Sequence, residues 1–233
     1  QWAGCTDENS CDYLPNAVID DGSCINYPDC AGVCFGDSYE DNCGTCDDDP
    51  ANDCFDYYLD LHAGANLVSF YALPEDASVQ NVLTPLGDNV SGVITEGDAC
   101  VQISTEFWVG GHCTLLSKNG YWIIVSSSDN LYLEDAIPTE PALEYDLHVG
   151  ANLISFPIDG SVGVSDALPD DIEPYVSGVI TEGAAGAQIS PGNWVGLPSF
   201  EGGKGYWIIT TESISFSYDL STQSIIKASR ESI

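Results

Sequence analysis

Basic residues are almost absent from this sequence, and methionine is missing. Only 4 of the 233 residues are Lys or Arg, against 37 Asp and Glu, so the formal net charge is −33. Because so little positive charge cannot neutralise phosphates, we exclude nucleic acid as a partner and do not expect docking on anionic membranes. No apolar run approaches the roughly 20 residues of a membrane-spanning helix, so we expect no membrane insertion.

The missing methionine indicates that the sequence begins at a processing site. We expect a removed secretory signal that leaves Gln1 at the mature end. The ten cysteines agree with export, because disulfides persist in oxidising compartments. The sequence therefore predicts a secreted, extracellular protein at a cell surface.

Residues 1–54 differ in composition from the rest of the chain. They hold eight of the ten cysteines, 13 acidic residues and no Lys or Arg, and no helical or strand period persists in them. With few aliphatic side chains to bury, such a segment needs covalent or metal cross-links. The even count predicts four disulfides, with the pairing left open, among Cys5, Cys11, Cys24, Cys30, Cys34, Cys43, Cys46 and Cys54.

The acidic residues of this head segment predict calcium as a cofactor, because carboxylates are the ligands that Ca²⁺ prefers. The candidate ligands are Asp20, Asp21, Asp37, Asp41, Asp47, Asp48, Asp49 and Asp53, and none of them follows EF-hand spacing. Two alternatives stay open. The carboxylates only solvate a disulfide-linked segment, or the cysteines bind zinc through C-x2-C at Cys43 and Cys46 and C-x3-C at Cys30 and Cys34, which an oxidising compartment disfavours.

Four short stretches of the head carry a resemblance. GCTD at residues 4–7 and DDGSC at residues 20–24 resemble a Cys-rich repeat of secreted surface proteins from marine bacteria. DCAGVC at 29–34 and DNCGTC at 41–46 resemble its usual partner segment, which is loosely similar to thrombospondin type 3 repeats. The resemblance implies a calcium-loaded extracellular spacer. The regular Asp-x-Asp-x-Asp-Gly ladder of those repeats is missing here, which leaves the number of ions open.

An internal duplication is the strongest pattern in the sequence. DLHAGANLVSF at residues 60–70 matches DLHVGANLISF at residues 146–156, an offset of 86. The same offset relates the two SGVITEG stretches that begin at Ser91 and Ser177, and GYWII recurs at an offset of 85. Such self-similarity predicts two copies of one fold. The pattern NLISFP…GYWI is similar to a module of the same marine bacterial proteins, which implies compartment and architecture but no activity.

The two remaining cysteines both lie in the first copy. Cys100 and Cys113 correspond to Gly186 and Ser199 in the second copy. Because the cysteines are present together in one copy and missing together in the other, we predict that they form a disulfide with each other.

Each copy has the pattern of a small β domain. Residues 66–70, 90–95, 108–109 and 121–125 are rich in β-branched and aromatic side chains and are bounded by turn formers. Short helical turns are predicted at residues 78–83 and 162–168.

These patterns together predict a mostly β chain. It consists of a disulfide-rich, loop-dominated head followed by two tandem small β-sandwich or barrel-like repeats. The predicted parts are the head at 1–54, repeat 1 at 55–137, a stiff extended PTEP linker at 138–143, repeat 2 at 144–220 and a tail at 221–233.

No motif of nucleophilic, metal-dependent or phosphate-transfer catalysis occurs in the repeats. His62 and His148 occupy equivalent positions, and Glu96 and Glu182 recur in Thr-Glu-Gly. A glycosidase needs two carboxyl groups in one cleft, and nothing in the sequence places these two together. We therefore expect a protein that is not an enzyme.

Trp108 and Trp194 are the candidates for stacking on glycans. Adjacent residues of a strand point to opposite faces, so in Tyr121-Trp122 one ring at most faces a ligand. Most of these rings are expected in the cores.

The tail combines apolar and basic residues. Ile225 and Ile226 precede Lys227 and Arg230, two of the four basic residues. Such a strand can add to a neighbouring subunit and complement its acidic surface, and a head-to-tail contact of this kind generates filaments. The alternative is a strand that completes its own domain or a frayed end.

The expected function is that of a non-enzymatic extracellular structural protein. It would be a calcium-stabilised subunit or stalk of a surface filament or similar appendage, with head-to-tail self-association or other surface proteins as its partners. The alternatives are a glycan-binding adhesin and a virion fibre or decoration protein.

Overall fold

A computed structural model describes residues 2–25, 27–40, 46–48, 55–105, 107–111 and 113–220 of the chain. The structure is mostly β, with 48% of residues in strands and 9% helical, so the predicted fold class is confirmed. The chain divides into two compact units, residues 1–54 and residues 55–233.

The strands described in the first unit are two residues long. Parallel β1 (Ala3–Gly4) and β2 (Ile19–Asp20) form one pair, and antiparallel β3 (Tyr39–Glu40) and β4 (Cys46–Asp47) form another. Its described disulfides are Cys5–Cys24, Cys11–Cys34 and Cys30–Cys46. They use sulfurs of Cys30, Cys34 and Cys46 that the zinc alternative requires. Cys43 and Cys54 lie outside the described residues.

Side-chain hydrogen bonds supplement the disulfides in this unit. The Asp12 carboxylate accepts the Ile25 amide at 2.8 Å and the Ser10 hydroxyl at 2.7 Å. These two bonds, the amide bond first, lower the pKa of Asp12 below its ordinary value because they favour the charged form. The Asp29 carboxylate accepts the Val33 amide at 2.7 Å. Polar bonds therefore hold loops that have little apolar surface to bury.

The first repeat contains eight strands and one short helix. In chain order they are β5 (Phe55–Leu61), β6 (Gly64–Ser69), β7 (Ala72–Leu73), α1 (Val79–Leu83), β8 (Val90–Thr95), β9 (Asp98–Ser104), β10 (Phe107–Gly110), β11 (Gly120–Val125) and β12 (Asp129–Pro138). Ser78 caps α1 by accepting the Asn81 amide. A 3₁₀ segment, Thr84–Asn89, follows the helix.

Two sheets enclose the core of the first repeat. One has the order β10-β9-β8-β11-β6, and the other has the order β5-β12-β7. Alternate residues of their strands, together with the apolar face of α1, form one buried cluster around Tyr57, Phe70 and Ile123. A disulfide joins Cys100 of β9 to Cys113, with the two Cα atoms 5.5 Å apart.

The second repeat follows a similar chain order, but it has nine strands, because it contains an additional strand, Ser199–Glu201, which pairs with Ser161–Gly163. Its elements are β13 (Tyr145–Leu147), β14 (Gly150–Ile154), β15 (Ser161–Gly163), α2 (Val164–Ala167), β16 (Val176–Thr181), β17 (Ala184–Ser190), β18 (Asn193–Val195), β19 (Ser199–Glu201), β20 (Tyr206–Thr210) and β21 (Ile214–Phe216). A 3₁₀ segment, Glu173–Tyr175, follows α2.

The main sheet of the second repeat has the order β14-β20-β16-β17-β18, which repeats the arrangement of the first. Separate antiparallel pairs are formed by β13 with β21 and by β15 with β19. The core contains six aromatic side chains, Tyr145, Phe156, Phe200, Tyr206, Phe216 and Tyr218. Tyr218 lies beyond β21 and is buried, as the alternation in that part of the sequence indicates.

The first residues of the predicted linker at 138–143 do not form the extended spacer that the sequence predicts. Pro138 ends β12 and pairs with Ala72, and the Thr139 amide donates to the Tyr71 carbonyl at 2.8 Å. A turn follows, in which the Leu143 amide donates to the Glu140 carbonyl. The sequence pattern missed this because a proline is compatible with the end of an edge-paired strand as well as with a linker.

The two main sheets meet through the strands at their edges. On one edge β6 pairs with β11, and on the other Val68 forms a bridge with Lys204 of the second repeat. Likewise, β14 pairs with β20, and Ile154 forms a bridge with Asn119 of the first repeat. The strand pairs β6–β11 and β14–β20 are therefore linked by two single bridges, one to a residue just before β20 and one to a residue just before β11. Each repeat covers a sheet edge that the other would leave open.

In the described part of the chain, no helix reaches the length and apolar content needed to cross a membrane.

Candidate functional site

The junction between the repeats contains the candidate site, and its first half is a His–Glu pair. His62 Nε2 lies 2.6 Å from Glu182 Oε1, and His62 Nδ1 lies 2.9 Å from the carbonyl oxygen of Ala63. Because both ring nitrogens face acceptors, this arrangement favours the doubly protonated, cationic form of the imidazole.

The electrostatics of His62 agree with this geometry. The hydrogen bond to the Ala63 carbonyl and then the bond to the Glu182 carboxylate raise the pKa of His62 above its ordinary value. Desolvation acts in the opposite direction, but it is weaker than either hydrogen bond, and the ring is more than half exposed. The raised pKa favours the protonated ring, and the contact with Glu182 is an ion pair whenever the ring is protonated.

The second half of the site repeats the first with the roles of the repeats exchanged. His148 Nε2 lies 2.6 Å from Glu96 Oε1, and His148 Nδ1 lies 2.9 Å from the Val149 carbonyl oxygen. These bonds, the backbone bond first, raise the pKa of His148. The two ion pairs are therefore related by a pseudo-twofold axis between the repeats.

Each glutamate also binds the backbone of the opposite repeat. The second carboxylate oxygen of Glu182 accepts the Leu67 amide of β6 at 2.9 Å, and that of Glu96 accepts the Leu153 amide of β14 at 2.9 Å. Both glutamates lie in tight turns, between β8 and β9 and between β16 and β17. Gly97 and Gly183 follow them with a φ of 74°, a conformation that favours glycine.

Buried asparagines position the histidines. The Asn66 side chain accepts the His62 amide at 2.8 Å and donates to the His62 carbonyl at 2.9 Å. Asn152 makes the equivalent bonds with His148. Both asparagines are 3% exposed, so these bonds are shielded from water. The recurring Leu-His-x-Gly-x-Asn sequence is thus a local structure that presents the histidine to the other repeat.

Close backbone contact completes the junction. The Ser69 amide donates to the Gly203 carbonyl at 2.9 Å, and the Ser69 hydroxyl donates to the Lys204 carbonyl at 2.7 Å. A Cβ atom on Gly205 would lie 2.6 Å from the Val68 carbonyl oxygen, and one on Gly120 would lie 2.7 Å from Leu153 Cδ1. Glycine is therefore required where the repeats meet.

A cleft of about 430 Å³ lies beside the Glu96–His148 pair. Its walls include Lys118, Asn119 and Asp146. The hydroxyl of Thr95, which also borders it, donates to the Gly120 carbonyl at 2.8 Å. A histidine is not available as a general base while it is protonated, and each glutamate already binds two donors. These side chains are therefore best suited to hold one repeat against the other.

Some of the residues predicted as calcium ligands lie in the described part of the structure, and the others lie outside it. The Asp20 and Asp21 carboxylates accept the amides of Gly22 and Ser23, which is the hydrogen bonding of a turn. Asp37 and Asp48 are exposed. Among the described residues, no group of three or more His, Cys, Asp or Glu side chains could hold a metal ion. The other candidates, Asp41, Asp49, Asp53 and the side chain of Asp47, lie outside the described part of the structure.

The predicted stacking tryptophans are partly buried against the cores. Trp108 packs on the first core, and Trp194 packs on the second, where its indole N–H donates to Glu173 at 2.6 Å. Tyr121 is buried and Trp122 only half-buried, which is the alternation expected of strand neighbours. The tail residues named for assembly, Ile225, Ile226, Lys227 and Arg230, lie outside the described residues.

Sequence reasoning named all four residues of the two ion pairs but paired no histidine with a glutamate. It considered Glu96 with Glu182 and found nothing that places them together, whereas each glutamate binds the histidine of the opposite repeat. One signal was present, because the histidine and the glutamate recur at the same offset of 86 residues. Two groups of opposite charge that recur together are candidates for a reciprocal contact.

No family model matches this chain, and no curated protein or solved structure matches it either.

Proposed function

We propose that this chain is a non-enzymatic structural subunit of an extracellular assembly, such as a surface filament or sheath. The observation that carries the proposal is the reciprocal junction. The side chains best suited to acid–base chemistry in the repeats all join two copies of one domain. They are His62, Glu182, His148 and Glu96. Such a junction makes a rigid module, which suits a load-bearing subunit better than a catalyst.

The disulfides support the extracellular part of the proposal. Four described disulfides lie in a chain of 233 residues, and such bonds persist outside reducing compartments. We extend the proposal to calcium, since a net charge of −33 makes subunits repel one another unless cations screen them.

Negative-stain electron microscopy of the purified chain, with calcium and again after EDTA, tests this function. We expect ordered polymers in calcium that dissociate in EDTA. Polymers that are indifferent to EDTA would retain the structural role and remove calcium from it. Isolated particles in both conditions, at every protein concentration, would overturn the proposal.

A glycan-binding role is the second candidate, and one exposed cluster favours it. Tyr58 and Tyr132 lie directly opposite each other on β5 and β12 and are 52% and 44% exposed. Asp60 and Asn130 form the next pair on the same face. In the orientation that satisfies both ends of the Asn130 amide, its nitrogen donates to Asp60 at 2.6 Å and to Tyr58 at 2.9 Å. Rings beside hydrogen-bonding groups are suited to sugars.

The second repeat provides the matched control for this cluster. Asp146 and Ser215 preserve the polar pair, with a hydrogen bond of 2.6 Å, but Glu144 and Ser217 replace the tyrosines. We expect Tyr58→Ala to weaken glycan-array binding by about 10-fold or more, the size of one aromatic contact. Trp194→Ala should leave it unchanged. Loss of binding in Trp194→Ala alone would contradict this assignment.

A further inference from the structure

The main sheet of the first repeat is apolar on both faces. Val93 and Cys100 point into the core, whereas Ile94, Val101 and Val109 lie on the opposite face and are between 43% and 51% exposed. Val101 lies directly opposite Val109 on one side and Gly92 on the other, so these residues form a continuous row across three strands. Strands that are apolar on both faces are typical of sheets covered on both sides.

The second repeat presents the same face. Ile180 and Val195 correspond to Ile94 and Val109, and they are 40% and 48% exposed. Val195 lies opposite Ala187, which in turn lies opposite Gly178. The second repeat therefore keeps the same row of small and apolar residues, although these side chains do not belong to its core. We call these two surfaces the first and second apolar faces.

Charge is almost excluded from the six strands that form the faces. Strands β8, β9, β10, β16, β17 and β18 contain one charged residue, Asp98, in a chain with 41 charged residues. A basic partner would be recognised by carboxylates, and a glycan by clustered hydrogen-bonding groups. A surface kept apolar within an acidic protein instead fits a partner that is itself acidic, because contact there brings no carboxylates together.

We propose that the occupant of each apolar face is the equivalent face of a second copy of this chain, packed sheet against sheet. Two sheets of this kind pack about 10 Å apart with interdigitating side chains. The faces continue into the junction already described, because Trp122, opposite Ile94, also lies opposite Leu67, whose amide binds Glu182. The contact would thus extend a surface that already joins two copies of the domain.

Two self-complementary faces on one chain determine the form of the assembly. A single isologous contact closes into a dimer, whereas two such contacts at different places on each subunit continue without closing. The chain would polymerise with first faces pairing with first faces and second faces with second faces. This inference rests on the proposed structural function and identifies the surfaces that perform it.

Matched substitutions in the full chain test the inference. Val109→Asp and Val195→Asp each place a carboxylate at the same position of one face, and Ile137→Asp places one on the other sheet, at a position 45% exposed. All three sites are exposed, so circular dichroism should show an unchanged fold. An unpaired carboxylate buried at such a contact should weaken association at least about 100-fold.

Light scattering and sedimentation velocity then give distinct results. We expect polymers from the unsubstituted chain and from Ile137→Asp, dimers from each single face variant, and monomers from the double variant. Polymers from the double variant would overturn this inference and leave the structural function intact. Loss of polymers in Ile137→Asp as well would also overturn it, because the effect would then be general. Monomers of the unsubstituted chain in all conditions would overturn both.

Salt dependence separates this contact from one made by the basic tail. Raising NaCl from about 0.05 M to about 0.5 M screens repulsion between acidic subunits and should strengthen an apolar contact. A contact between Lys227 or Arg230 and carboxylates would weaken under the same change. Polymers that dissociate in salt, and in Lys227→Glu but not in Val109→Asp, would overturn the inference in favour of the tail.

Discussion

His62 of the first repeat and Glu182 of the second lie 2.6 Å apart, although 120 residues separate them in the sequence. The same contact occurs in reverse between His148 and Glu96. Each copy of the domain contributes one cation and one anion, and the duplication supplies both pairs at once. These contacts can therefore form only when two copies of the domain are present.

Stability should fall as the pH rises through the raised pKa of these histidines. The protonated rings contribute fully below the unfolded value of about 6.5, and the contribution is lost above the higher folded pKa. Melting temperatures measured from about pH 6 to pH 9 should decline, and the decline should flatten in Glu96→Gln/Glu182→Gln. Glu212→Gln, an exposed site, serves as the control. An unchanged slope in the double variant would refute the ion pairs.

Alanine at Gly120 or Gly205 should weaken the junction. The added Cβ would lie 2.9 Å from the Ile154 carbonyl oxygen at Gly120 or 2.6 Å from the Val68 carbonyl oxygen at Gly205, so the backbone at the junction must shift. We expect each to cost about 1–3 kcal/mol of unfolding free energy in urea. At Gly92 the nearest atom lies at 3.4 Å, so Gly92→Ala should cost clearly less. Equal losses at all three sites would contradict the close approach.

Asn66→Ala should destabilise the first repeat strongly. The substitution leaves the backbone amide and carbonyl of His62 without the partners that the buried Asn66 side chain supplies at 2.8 and 2.9 Å. The expected loss is about 2–4 kcal/mol in urea unfolding. Asn81→Ala, which removes an exposed bond to the Asp76 carbonyl, is the comparison and should cost far less. Faster hydrogen exchange at His62 would locate the effect.

Removing the Cys100–Cys113 disulfide should also lower stability. The bond closes a loop with a sequence separation of 13, and loops of this size are worth about 3 kcal/mol. Cys100→Ala, Cys113→Ala and the double variant should lose similar amounts, because either change removes the same bond. Additive losses would mean that packing of the two side chains, rather than the bond, provides the stability.

Local patterns in the sequence predicted some of the strands and the short helical turns of the repeats, but they did not predict β5, β9 or β12. The helical turn expected at 78–83 is α1, and the segment expected at 90–95 is β8, because apolar spacing and turn formers act within a few residues. The Cys100–Cys113 pairing followed from a comparison of the two copies. These features depend on near neighbours or on the duplication itself.

The arrangement of one repeat on the other was not predictable in this way. The sequence gives no register between β6 and Lys204, which lie far apart along the chain, and the PTEP segment suggested a spacer instead of a contact. The pairing is decided by which sheet edges remain uncovered in each folded copy. Which edges are uncovered is determined only once the strands have formed their sheets, so it cannot be read from local sequence patterns.

The two reciprocal bridges between the repeats have a consequence for the origin of the module. One repeat alone carries both a His62-type cation and a Glu96-type anion, and it has one open edge and one loop that covers such an edge. Two separate copies would therefore satisfy the same contacts as a symmetric homodimer. The peptide that connects them replaces a bimolecular encounter with an intramolecular one, at an effective concentration on the order of millimolar. The two repeats are therefore arranged like the two subunits of a symmetric dimer, joined in a single chain.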